Sequence, residues 1–321
     1  MSRRRVLRGA VTVLYLVVLV VGVILWLRDV DLRLFTEITV NWYLVILASV
    51  ASMGTRYWMA FAWWTMINRC HPEYPPRFRS VLFVFGQSWM SRYFPIKGAW
   101  LVHRLALARR VGVSRENIMA STFVESLTQL GATSVVALLT ILFHPATADN
   151  PLVALIALLA GIVATAVLAS PRILQGLVTI AVTRGWVKKF SVSSFPDLRS
   201  YGLSTAFQGV TALLSGLSSA LFVLALAGPV SPEEFAYIVG LISLATALGV
   251  VAFFAPAGIG VREATIVAGL SPLIGLPSAI LVAGASRVWS VILDVLFLGV
   301  TIAPQSACRP DGASELVERN A

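Results

Sequence analysis

The sequence predicts an all-α bundle of about seven to eight membrane-crossing helices, and three observations carry that reading. Hydrophobic residues make up 58% of the chain and charged residues only 12%, whereas a soluble domain carries about 25% charged residues. A chain so poor in charge cannot cover a water-facing surface, so most of its surface must face lipid. Apolar runs near the ~20 residues needed to cross the hydrocarbon core recur along the chain. Two further apolar stretches are interrupted by Pro, Gly and Arg in the same order, which predicts two broken or re-entrant helices and an internal pseudo-repeat. Building the spans requires residues 1–304, read as one membrane domain, and residues 305–321 read as a polar, disordered tail.

Taken in order, the clear spans are 7–27, 42–67, 117–143, 152–169, 202–227, 235–254 and 278–303. Arg3, Arg4, Arg5 and Arg8 precede the first. Its apolar core is too long for a signal peptide, and Arg28-Asp29 follows it where a small-residue cleavage site would stand, so it reads as a retained span. Arginines before the first span place the N-terminus in the cytoplasm of a multi-pass protein of the cell (inner or plasma) membrane. Arg69, Arg77 and Arg79 return to that side, as do Arg172, Arg184, Lys188, Lys189 and Arg199, which mark an interfacial connection. The segments 144–150, without Lys or Arg, and 228–234, which is acidic, suit the outside. Whether 258–274 crosses or dips back decides the side of the C-terminus. Trp26, Trp42, Tyr43, Trp63, Trp64, Trp100, Trp186 and Tyr237 read as interfacial aromatic belts.

The net charge of +10 comes from 25 Lys+Arg against 15 Asp+Glu. The basic residues are scattered between apolar spans, which argues against nucleic acid, and much of the excess is topological. Cys70 and Cys308 suggest neither a disulfide framework nor a metal knuckle. His71, His103 and His144 lack ligand spacing, and no Walker motif occurs, so no metal and no cofactor are expected.

The first interrupted stretch, 81–107, contains Arg92-Tyr93-Phe94-Pro95-Ile96-Lys97-Gly98-Ala99-Trp100 and then His103-Arg104. The second contains Pro256-Ala257-Gly258-Ile259-Gly260-Val261-Arg262-Glu263. Pro95 and Pro256 remove an amide donor and clash with the preceding turn. Gly98, Gly258 and Gly260 supply backbone angles other residues avoid. Broken backbone in lipid survives only where protein or a wet cavity satisfies it. A half-helix starting near Gly260 should offer free amides and a positive dipole end to an anion. The bland alternative is a pair of ordinary loops between spans.

Charges also fall inside spans: Arg56, Glu125, Arg287 and Asp294. Each costs about 2.5–3.5 kcal/mol at the bilayer centre on insertion scales, so each should face the interior. Arg287 and Asp294 are seven apart and share a helix face about 10 Å apart, too far to pair. They need other partners, from Glu125, Glu263, Arg92 and Arg262. Arg56, Arg92, Lys97, Arg104, Arg262 and Arg287 outnumber Glu125, Glu263 and Asp294. That surplus asks for an anionic ligand, which the planar arginine fork suits when it is a phosphate.

The first block, with Gly112-Val113-Ser114 and Val124-Glu125, and the second, with Arg287-Val288-Trp289 and Asp294, resemble the two blocks of the lysylphosphatidylglycerol synthase transmembrane (flippase-like) family. The resemblance implies a membrane domain that translocates lipids between leaflets. Ala257 stands where that family usually has Gly, and Ile96-Lys97 varies the first block. No aminoacyltransferase domain follows the last span, so lipid aminoacylation by this chain is not expected.

Three function classes follow. The leading expectation is a non-enzymatic flippase for an anionic lipid, a phospholipid or a polyprenyl-phosphate-linked one. Arg92, Lys97, Arg104, Arg262 and Arg287 would bind the head, while Glu125, Glu263 and Asp294 hold the arginines or carry protons. The second class is a lipid-modifying enzyme using Ser88, Ser91, His103 or Glu125, although no Ser-His-Asp or HExxH arrangement occurs. The third is a non-transporting partner of a cell-envelope glycosyltransferase, which would tolerate loss of Arg262 and Glu263. A homo-oligomer and a cell-envelope enzyme partner are both compatible with the sequence.

Overall fold

The computed structural model describes residues 40–70, 75–93, 99–141, 198–252, 258 and 260–302, with 152, 155, 156, 159 and 161–163 in a further helical stretch. The described residues contain helices and no strand. They are α1 (Trp42–Cys70), α2 (Phe78–Met90) with a 3-10 turn Ser91–Tyr93, α3 (Ala99–Ala106), α4 (Ala108–Val111), α5 (Arg115–Ile141), α6 (Leu198–Ala227), α7 (Pro232–Val251), α8 (Val261–Ile274) and α9 (Leu276–Ile302). Five of them, α1, α5, α6, α7 and α9, are long and apolar enough to cross a membrane. They match five of the seven expected spans. The first expected span and most of the fourth lie outside the described residues, as do the 172–197 connection and the tail.

Local chemistry sets where these helices begin. Asn41 Oδ1 accepts from Leu44 N–H at the start of α1 (3.3 Å), and Ser114 Oγ accepts from Asn117 N–H at the start of α5 (3.2 Å). Helix α7 opens with a reciprocal capping box. Glu234 N–H donates to Ser231 Oγ (3.2 Å) and Ser231 N–H to Glu234 Oε2 (2.8 Å), with Pro232 at the first helical position. By contrast α2, with 13 residues, and α8, with 14, reach only about 20 Å at 1.5 Å per residue, short of the ~30 Å hydrocarbon core.

Helix α1 lies along α6, α5 packs on α6 and α7, and α9 packs against α2 and α8. Two apolar cores result. One joins α5, α6, α7, α8 and α9 through residues such as Ala220, Ile238, Leu241, Ile266 and Ala283. The other gathers Met59, Trp63, Phe85, Ile118 and Phe297. The outside is apolar as well: Val50, Val288, Ile292 and Val295 are more than half exposed, while Asp294, Ser204, Thr128 and Gln208 are buried. An apolar exterior around a polar interior suits lipid as the solvent.

Two of the expected belt aromatics are interior residues. Trp63 is fully buried, and Tyr237 is buried with its hydroxyl donating to Gly269 C=O (3.2 Å). Neighbouring helices cover both, which periodicity alone does not reveal. Trp42 and Tyr43 are 69% and 74% exposed, as a belt requires.

Candidate functional site

A cavity of about 400 Å³ lies between the two cores and is lined from α1, α2, α3, α5, α6, α7, α8 and α9, with members of both cores, Met59 and Ile242, in its wall. Five arginines line it: Arg56, Arg92, Arg104, Arg262 and Arg287. Arg56 is the middle residue of the 29-residue α1, about 20 Å from either end, so the cavity sits at mid-helix depth. Many of the wall hydroxyls follow a helical spacing already present in the sequence: Thr211, Ser215 and Ser219 recur every four residues on α6, and Ser243 and Thr246 stand three apart on α7.

Asp294 anchors one side. It is fully buried and joins four elements. Arg56 Nε donates to its Oδ1 (2.8 Å), with Nη2 at 2.7 Å. Trp89 Nε1 donates to the same oxygen (3.0 Å), and the Arg92 guanidinium and the Tyr93 hydroxyl both bond to Oδ2. Arg56 is further held by Ser52, through C=O (2.9 Å) and Oγ (2.6 Å). Its donors are therefore engaged inside the protein, and Arg92 lies over the Trp89 ring (4.2 Å).

Arg104 and Glu125 form a second closed unit. Arg104 Nη1 donates to Glu125 Oε2 (2.5 Å) and Thr122 Oγ1 (3.2 Å), and Nε to Ser88 Oγ (3.2 Å). The guanidinium also lies 4.1 Å from the Trp63 ring centroid, a cation–π contact. Trp63, expected at an interface, thus forms the floor under a buried cation.

The third unit is open. Gly258 and Gly260 have φ of +67° and +90°, which accounts for two of the glycines singled out at the break. A Cβ on Gly258 would stand 2.8 Å from Gly249 Cα, so α7 and the segment before α8 touch backbone to backbone. At the start of α8, Gly260 N–H donates to Glu263 Oε2 (2.8 Å). The expectation of free amides at this helix start is corrected at that amide, because Glu263 folds back on its own N-terminus. Glu263 Oε1 is buried without a hydrogen-bond partner and stands 3.9 Å from Arg262 Nη1 and 3.6 Å from Arg287 Nη1. Those separations are ionic contacts beyond hydrogen-bond range.

The five arginines therefore differ. Arg56 and Arg104 are enclosed (8% and 3% side-chain exposure), whereas Arg92, Arg262 and Arg287 retain 29%, 16% and 23%. Among the described residues, Arg262 and Arg287 make no side-chain hydrogen bond. Arg287 and Asp294, too far apart to pair, find Glu263 and Arg56/Arg92 respectively; Arg56 was not among the expected site residues. Lys97, Pro95, Gly98 and Pro256 lie outside the described residues. The Ser91 hydroxyl and His103 Nδ1 are 2.5 Å apart. Ser91 is 3% exposed and neither residue lines the cavity, so this pair does not present a nucleophile to it.

An α-helical multi-span membrane protein with an arginine-lined internal cavity is the class these elements define. The chain belongs to the lysylphosphatidylglycerol synthase TM region family, whose model matches residues 10–297. That stretch contains both Pro/Gly/Arg blocks and every intramembrane charge described above. None of the curated proteins matches the chain.

Proposed function

We propose that this protein carries an anionic lipid between the leaflets of the cell membrane, its phosphate held in the cavity by Arg262 and Arg287. One observation carries the reading: these two partly exposed arginines line the cavity and meet Glu263 only at 3.6–3.9 Å, with no side-chain hydrogen bond among the described residues. A guanidinium left so at membrane depth is costly, and a phosphate offers two oxygens in the fork geometry arginine matches. Arg92 stands beside them and adds positive field, while Arg56, Arg104, Glu125 and Asp294 hold the walls. Glu263 orients the pair at long range and gives way to the ligand.

The short helices α2 and α8, both packed on α9, support two re-entrant elements within a bundle of seven to eight spans. The N-terminus lies in the cytoplasm, on the arginine distribution. The protein acts as a transporter without bond-making chemistry and needs no cofactor.

The test is reconstitution into vesicles with a fluorescent anionic phospholipid and a leaflet-selective quencher. Wild type should accelerate exchange and Arg262→Gln/Arg287→Gln should reduce it at least tenfold, with the helical spectrum and detergent melting retained. Equal exchange by both would sink the proposal.

A further inference from the structure

The cavity is closed at one end and reaches the surface at the other. Asn41 N–H donates to Ala225 C=O (2.9 Å), so α1 begins and α6 ends at the same face of the bundle, and α7 starts there too, after a four-residue link. On α1 the cavity wall starts at Ser52, and on α6 it stops at Ser219. Those positions lie ten and eight residues inside that face, about 15 and 12 Å at 1.5 Å per residue. On α7 the wall runs the other way, to Val250, one residue from the helix end and 56% exposed.

One side chain fills the closed end. Trp289 of α9 lines the cavity, while Ser49 and Phe222, the next turn outward on α1 and α6, do not. Its indole lies flat on the Phe222 ring, with centroids 4.4 Å apart and planes 14° apart. Its Nε1–H donates to Ser49 Oγ (2.9 Å), and the Ser49 hydroxyl in turn donates to Val45 C=O (2.7 Å). The ring thus ties α9 to both other helices across the gap between them. One aromatic contact and one hydrogen bond hold it there, each a modest net interaction. That tie can release while the buried ion pair of Arg56 and Asp294 still holds α1 to α9.

We infer that Trp289 is the gate of the cavity. Laid on Phe222 and tied to Ser49, its ring separates the arginine-lined space from the face where α1 begins, and a solute passes that way only when the ring leaves both. On the topology proposed above, that face is the outer one. An arginine-lined passage open at both ends would conduct small anions, and the seated ring prevents it. As a step of transport the gate rests on the anionic-lipid reading above. The closure itself is a property of the cavity and is testable without a lipid.

The test reads access to the cavity from each side of the membrane. In full-length protein with Cys70 and Cys308 replaced, Ser215→Cys places a thiol in the cavity wall. Membrane-impermeant 2-sulfonatoethyl methanethiosulfonate is applied to intact cells and to inside-out vesicles, and the rate of labelling is measured. With Trp289 present the thiol should react from one side only. Adding Trp289→Ala should raise the rate from the closed side at least about tenfold and leave the open side unchanged. Ser49→Ala removes the hydrogen bond and keeps the ring. It should raise that rate about fivefold, the worth of one net hydrogen bond, and it stands as a second readout should Trp289→Ala misfold. Labelling from both sides with Trp289 and Ser49 intact, or from one side only in both variants, overturns the gate. One-sided labelling of a protein that exchanges no lipid removes the transport reading and leaves the closure in place.

Discussion

Removing the Asp294 carboxylate strands two arginines at once. Arg56 and Arg92 both bond to it, from α1 and from the turn after α2, so Asp294→Asn leaves two cations facing each other inside the protein. Breaking a buried pair by deleting one partner costs about 3–5 kcal/mol, and the melting midpoint in detergent should fall far enough to halve the yield of folded protein. The Arg104–Glu125 pair makes a sharper residue-scale test. Glu125→Leu alone leaves Arg104 buried without its anion, whereas Arg104→Met/Glu125→Leu removes both charges. The double variant should melt above the single one. A double variant that melts below Glu125→Leu would show that the two do not act as a unit. That these residues carry charge at membrane depth was legible in the sequence. Which of them close on each other was not, because Arg104 meets Glu125 and Arg56 meets Asp294 across 21 and 238 residues.

At the scale of elements, the break before α8 depends on two glycines for different reasons. Gly258 needs both its positive φ and its lack of a Cβ, since an added carbon would stand 2.8 Å from Gly249 Cα. Gly260 has φ +90° but open space around its α-carbon, so only backbone strain opposes a side chain, at about 1–3 kcal/mol. Gly258→Ala should therefore abolish folded protein or lipid exchange, and Gly260→Ala should be tolerated with a lowered melting midpoint. The reverse order would show that the α7–α8 approach does not matter. The sequence marks both glycines and their arginine, yet the return of Glu263 onto Gly260 N–H is a local fold that the Pro-x-Gly pattern does not specify. Ser231 at the start of α7 is simpler: Ser231→Ala removes one capping bond and should cost about 1 kcal/mol, with exchange activity unchanged.

For the whole molecule, the distribution of arginines predicts sidedness. With Cys70 and Cys308 replaced, a cysteine at Glu233 should react with a membrane-impermeant maleimide in intact cells, and one at Arg79 only after permeabilisation. Labelling of both in intact cells would overturn the topology and with it the assignment of a cytoplasmic N-terminus. The same scale governs the cavity. Its walls come from eight helices, so a variant that loosens α9 should lower anionic-lipid binding without touching any arginine in the site.

Composition and run length by themselves determined that this chain is an α-helical membrane protein, because a bilayer admits few ways to satisfy backbone polar groups and a span needs a fixed length of apolar residues. They also marked the interrupted segments and the surplus of arginine, since each breaks a rule that lipid enforces. Tertiary structure alone decided how the charges are shared. Asp294 and Glu125 close off Arg56 and Arg104, Glu263 stands back from Arg262 and Arg287, and the hydroxyls of α5, α6 and α7 converge with them on one cavity. Pairing at hydrogen-bond range is set by which helix faces meet, and that depends on the packing of elements far apart in the chain.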